Sequence, residues 1–247
     1  MDQTVDKSIE QETKKLAWGP KSALLVSLVA YMASQLILVL PMVVVGALNQ
    51  GKDINSVIDN STWINLALGG LSATTLIIVL WFFLKRRKSK IKDLGFKKFT
   101  KKDFFWMFIG LVVYFILLII AITIANLIPG FNEEEVQNIG YTTAAGWQLM
   151  VAFVGLVVIP PLAEEMLFRG FLYRGLASKW PKIIAALVAS VFFAVLHFQW
   201  NVGIDVFVLS LVMIFLLEKT KNLWVCVGLH AIKNGIAFLA IFVFASH

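Results

Sequence analysis

Residues 104–128 read FFWMFIGLVVYFILLIIAITIANLI, twenty-five positions without a charge. A helix needs about 20 apolar residues to cross the hydrocarbon core of a bilayer. The run is continuously apolar rather than alternating, so it closes its backbone hydrogen bonds as a helix and not as a barrel strand. Working outward, similar segments occur at Ala23–Leu48, Thr62–Leu84, Trp147–Leu162, Ile183–Phe198, Ile204–Leu217 and Leu223–Phe244. The expected fold is all-α, a polytopic membrane bundle of about seven transmembrane helices. Composition agrees: 59% of the 247 residues are hydrophobic, only 15% are charged, and the mean hydropathy is +0.82. Soluble domains carry about 25% charged residues. Twenty Phe and eight Trp against six Pro exclude a disordered chain.

The net charge of +7 is concentrated in one place. Residues 85–102, KRRKSKIKDLGFKKFTKK, carry ten basic residues and one acid between two apolar spans. That placement reads as a loop at an anionic membrane face, not as a nucleic-acid site. Because Lys and Arg mark the cytoplasmic side, the N-terminus is expected inside, with the Asp53–Asp59 loop and Glu133, Glu134 and Glu135 outside. On the same alternation, His247 ends outside. Residues 1–21 are polar and mixed in charge, so no cleaved signal peptide is expected. The single cysteine, Cys226, excludes an internal disulfide and a multi-cysteine zinc site. One turn before His230, it reads as a packing residue rather than a nucleophile.

Ionisable residues at membrane depth cost roughly 2.5–3.5 kcal/mol each, and here they cluster late in the chain. Glu164 and Glu165 follow the Pro160–Pro161 pair, expected to break the helix; His197 ends the fifth span; His230, Lys233 and Asn234 lie in the seventh. If 161–177 and 182–198 form antiparallel helices turning near residue 180, Glu164 and His197 lie at one level. With Arg169 and Arg174 taken as interface markers, that level is about 8–10 Å inward at about 1.5 Å per residue. His230 reaches a similar layer. Glu165 and Arg169, four apart, are spaced for a helical ion pair, which turns Glu164 toward the cavity; His230 and Asn234 share a face. Glu164 is then the candidate general base, His197 its partner on a water, and His230 with Asn234 the oxyanion donors. Lys233 is given no role, and Asp205 reads as an interfacial cap. Glu164, His197 and His230 would also suit a catalytic Zn2+ with one open position, although the H-E-x-x-H zinc helix is absent. The metal-free route is preferred.

Glu164-Glu165-x-x-x-Arg169, Phe193-x-x-x-His197 and His230-x-x-x-Asn234, in that order, resemble the three motifs of the CPBP family, the CAAX proteases and bacteriocin-processing enzymes also called Abi. The resemblance covers roughly residues 145–240. Hydropathy and charge divide the rest into a cytoplasmic segment 1–22 and transmembrane helices over 23–142 with the basic loop 85–103, and the resemblance implies a CPBP-like catalytic core over 143–247. It further implies an intramembrane endopeptidase, with Glu164 and His197 activating water, His230 and Asn234 stabilising the oxyanion, and Glu165 and Arg169 supporting. Eukaryotic members trim prenylated CAAX proteins; bacterial members are linked to peptide-pheromone maturation and bacteriocin immunity. The partners so implied are the lipid bilayer and a hydrophobic peptide or membrane-protein substrate, with the active site near the cytoplasmic leaflet of the cell membrane. The alternatives are a non-proteolytic bacteriocin-immunity or membrane scaffold protein and, disfavoured by the lack of inverted repeats, a proton-coupled transporter.

Overall fold

The computed structural model describes residues 16–48, 62–131 and 146–244, and every regular element among them is helical. We number the helices α1 (Pro20–Leu48), α2 (Thr62–Arg86), α3 (Lys101–Ala125), α4 (Trp147–Ala177), α5 (Lys182–Val195), α6 (Trp200–Thr220) and α7 (Leu223–Leu239). Six of these are long and apolar enough to cross a membrane, and α5 is a shorter apolar helix. The chain is therefore an all-α, multi-pass membrane bundle. Phe104, Ile119 and Ile183 lie outward on it and are 65–75% exposed, the pattern of side chains that meet lipid tails rather than a protein core. The expected loop residues 53–59 and 133–135, His247 and the boundary at 142–143 lie outside the described residues.

Lipid gives apolar helices no reason to associate, so packing and hydrogen bonds must do it. Small residues bring the helices close: Ala23 and Ala30 of α1 and Ala185 and Ala189 of α5 are fully or almost fully buried. At Gly175 of α4 a Cβ would lie 2.6 Å from the Ala23 Cβ and 2.7 Å from the Trp18 ring. Trp18 closes that junction by donating its indole N–H to the Phe171 carbonyl at 3.0 Å.

The basic end of the bundle is tied by polar groups. Thr100 caps α3, and Asp103 completes the box by accepting the Thr100 backbone N–H at 2.7 Å. The Asn222 amide donates to the same Asp103 oxygen at 3.2 Å, while its own oxygen accepts from the Lys97 backbone at 3.1 Å. Leu223 N–H bonds the Gly95 carbonyl at 2.9 Å. The loop after α2 is thereby fastened to the turn between α6 and α7.

Two expectations are corrected. The fourth span does not end at Leu162 or break at Pro160–Pro161; α4 continues from Trp147 to Ala177. Proline strands carbonyls one turn back because it has no N–H. The helix meets this by widening into a π-turn over Val154–Val158, where Ile159 N–H reaches the Val154 carbonyl. Nor is Arg169 an interface marker: it is 0% exposed inside the bundle. A charge so placed needs a partner, and it has one in Glu165 at 2.9 Å.

The close approach at Gly175 gives a test. Gly175→Leu should lower stability by about 1–3 kcal/mol through overpacking against rigid neighbours. Gly69→Ala, where nothing lies within 4 Å, should be neutral or stabilising. Thermal unfolding of the two variants in detergent checks both.

Candidate active site

The adjacent carboxylates Glu164 and Glu165 sit about 100° apart on α4 and have opposite environments. Glu165 is 0% exposed, whereas the Glu164 side chain keeps 26% accessibility. Glu165 Oε1 accepts two hydrogen bonds, from Arg169 Nη1 at 2.9 Å and from His230 Nδ1 at 2.8 Å. The Nδ1 bond fixes the His230 ring so that Nε2 faces the other carboxylate, 4.0 Å from Glu164 Oε2. One imidazole thus lies between a fully buried carboxylate and a partly open one. Spacing alone predicts the Glu165–Arg169 pair, and the structure adds His230 as a second ligand of the same oxygen.

Phe193 is the other organising side chain. It is 1% exposed, and the Arg169 guanidinium lies over its ring at 4.3 Å from the centroid. The rings of His197 and His230 meet it edge-on, with centroids at 4.9 and 6.3 Å. His197 follows the end of α5, and its Nδ1–H donates to the Phe193 carbonyl at 2.9 Å, which leaves Nε2 for other work. The next residue, Phe198, has φ +53°, a left-handed turn that is costly for a bulky side chain and recurs at functional sites.

His197 and Glu164 share no direct hydrogen bond or ion pair among the described residues. A residue that the sequence reading passed over links their surroundings. Tyr31 of α1 donates its hydroxyl to the Leu196 carbonyl, beside His197, and lies within electrostatic reach of the Glu164 carboxylate. A lone Tyr in an apolar helix reads as an interface aromatic, and only packing shows it aimed inward.

Asn234 is placed differently from its expected role. Its Nδ2 donates to the Leu156 carbonyl at 3.0 Å. That carbonyl would be served by residue 160 in an α-helix or by 161 in a π-helix, and both are proline. Asn234 therefore repairs the hydrogen bond that the proline pair removes, with one amide hydrogen remaining. Asp205 is not an interfacial cap; it pairs with Lys233 Nζ at 2.6 Å and accepts the Tyr114 hydroxyl at 2.6 Å, joining α3, α6 and α7. Cys226 is fully buried with its thiol on the Met213 carbonyl at 3.3 Å, as packing requires.

For a metal, the donor set was expected to be Glu164, His197 and His230. Among the described residues no three His, Cys, Asp or Glu side chains converge closely enough to hold an ion. The phenyl ring of Phe193 lies against both imidazoles, and the three donors do not form one cage. Beside His197 an apolar cavity of about 490 Å³ opens between α3, α5 and α6, lined by Ala194, Val195, Phe198, Trp200 and Phe207.

Residues 145–236 match the family described as type II CAAX prenyl endopeptidase Rce1-like. The UPF0177 protein YxdF of Lactococcus lactis subsp. lactis (strain IL1403) is 26% identical over 154 residues, spanning 60% of this chain and 82% of that protein. The uncharacterized protein YyaK of Bacillus subtilis (strain 168) is 30% identical over 145 residues, 54% of this chain and 46% of that protein, so about half of that relative's length is spanned. No solved structure matches the chain. The matched segment runs into α7 and contains both carboxylates and both site histidines, and over it the chain is similar to the CAAX-type proteases of the CPBP family.

Proposed function

We propose that this chain is an intramembrane endopeptidase that hydrolyses a peptide bond of a hydrophobic peptide or membrane-protein substrate with a water activated by Glu164. The observation that carries the reading is the imidazole of His230 held between Glu165 and Glu164. Glu165 Oε1 is engaged by both Arg169 and His230, so Glu165 positions. Glu164 is the carboxylate left open to water, so it reacts. In the proposed step Glu164 takes the proton of a water as the water oxygen attacks the scissile carbonyl, then returns that proton to the departing amine. The oxyanion role asks His230 to carry a hydrogen on Nε2 as well as the one that Nδ1 gives to Glu165. Its Nε2–H is then free to meet the developing oxyanion, with the second amide hydrogen of Asn234 as a further donor. His197, held through Nδ1 by Phe193, presents Nε2 to the same water. No step runs through a metal.

The apolar cavity beside His197 supports a hydrophobic substrate, and Tyr31 holds the turn that carries this histidine. On topology, the basic end of the bundle is proposed to be cytoplasmic, with the site enclosed within the membrane. Peptide-pheromone or bacteriocin processing, or immunity, is the proposed setting. In the non-proteolytic alternative the same residues serve packing alone.

Replacing Glu164 separates these readings. Glu164→Gln should lower turnover by at least about 10²-fold, as expected for loss of a general base, with membrane abundance unchanged. Comparing membrane and secreted peptides of wild-type and variant cells should show one uncleaved precursor accumulating; full processing by the variant sinks the proposal. Cleavage of that precursor by purified protein should survive 1,10-phenanthroline, and inhibition reversed by added Zn2+ would overturn the metal-free route. Gly203 lines the apolar cavity, and a Cβ there meets nothing nearer than the Ala194 carbonyl at 3.5 Å. Gly203→Leu should therefore fill the cavity, raising KM for the precursor roughly tenfold or more with little change in kcat, the signature of lost uniform binding.

A further inference from the structure

The basic stretch after α2 is more ordered than a topology signal requires. A cavity of about 650 Å³ opens at the end of α2, and Lys85, Lys88, Lys90 and Lys92 line it with Ser89, above Trp81. Setting a membrane protein's orientation needs only the charge of these lysines, not a shape. Here the backbone is held at both sides. Ser89 N–H bonds the Leu84 carbonyl at 2.9 Å and Lys88 N–H the Lys85 carbonyl at 3.1 Å, the paired bonds of a Schellman helix end. Beyond it, Asp93 accepts the Lys90 backbone N–H at 2.8 Å, and Arg174 Nη1 holds the Asp93 carbonyl from α4.

The residue at the turning point is informative. Lys88 has φ +53°, the left-handed position of a Schellman end, where glycine is the low-energy choice. The sequence places a long cation there against its backbone preference, beside three other lysines that line the same hollow. Arg86 and Arg87 do not line the hollow, and their guanidiniums lie over the rings of Phe82 and Phe83 at 4.3 and 5.4 Å. Lys85 lies over Trp81 at 4.9 Å, and Trp81 is 46% exposed, as an aromatic at headgroup level would be. Four lysines lining one cavity repel one another, and an anion among them relieves that repulsion. The cavity abuts the lipid-facing end of a membrane-spanning helix, so the anion nearest to hand carries acyl chains.

We propose that the Lys85–Lys92 cradle is a binding site for the phosphate headgroup of an anionic phospholipid, whose chains run down α2 past Trp81. Charge complementarity and continuity with the membrane select this occupant. The site is independent of the protease reading, since none of its residues belongs to the catalytic cluster.

The test uses the full chain in nanodiscs of phosphatidylcholine with a minor fraction of phosphatidylglycerol, retained lipids being counted by native mass spectrometry. Wild type should hold one phosphatidylglycerol tightly. The variant K85Q/K88Q/K90Q/K92Q should bind it at least about tenfold more weakly, given that each lysine near an anionic surface contributes about fivefold. The variant K97Q/K98Q/K101Q/K102Q removes the same charge from the same loop outside the cavity and should stay near wild type. Equal weakening of both variants would show diffuse attraction and overturn the site. Lys88→Gly separates binding from folding, because it should raise the melting temperature in phosphatidylcholine yet weaken phosphatidylglycerol retention at least about threefold. Retention unchanged in Lys88→Gly contradicts the cradle. Inorganic phosphate added to the phosphatidylcholine sample should not reproduce the stabilisation by phosphatidylglycerol; if it does, the lipid assignment fails.

Discussion

One oxygen atom of Glu165 organises the core of this protein. A carboxylate without exposure to water or lipid is tolerable only when its charge is answered, and Glu165 Oε1 is answered twice, by Arg169 within its own helix and by His230 across the bundle. The first bond spends the Arg169 charge internally and lays its guanidinium on Phe193. The second sets the rotation of α7 against α4 and decides which ring nitrogen of His230 remains available. Removing either partner would leave an uncompensated charge where neither protein nor lipid could solvate it. The geometry of the open carboxylate, Glu164, follows from the two bonds that hold Oε1 of its neighbour.

The proline pair works in the same direction. Pro160 and Pro161 remove two donors in succession, and α4 responds with a π-turn and with help from outside, the Asn234 amide on the Leu156 carbonyl. A backbone fault in one helix is thus repaired by a side chain of another, one turn beyond His230 on α7. The repair and the Glu165–His230 bond are two fixed points between α4 and α7, enough to define their relative register. The similarity of residues 145–236 to the type II CAAX prenyl endopeptidase family gives this pair of helices its chemical setting.

Much of the fold was legible because lipid is a demanding solvent. Charge-free stretches such as 104–128 can only be helices, and the ten basic residues of 85–102 can only lie outside the hydrocarbon. The Glu165–Arg169 pair was legible because it is local, one turn apart on one helix. The continuity of α4 was not, since a proline pair reads as a stop and the accommodating π-turn leaves no mark in composition. Arg169 misled as an interface marker for the same reason that it matters: only knowledge of its partner allows a charge to be placed at depth.

What the sequence determined by itself is the helical, membrane-spanning class of the chain, the order of its polar exceptions and the motif spacing, because all three follow from solvent and from helical period. The tertiary structure alone decided how those exceptions share out their hydrogen bonds. Glu165 rather than Glu164 takes His230, Asn234 serves a proline-orphaned carbonyl, Asp205 joins Lys233, and Tyr31 arrives from a helix outside the matched segment. The physical reason is that a side chain's partner across a bundle depends on the rotation and depth of two helices at once, and no periodicity within either helix records that relation.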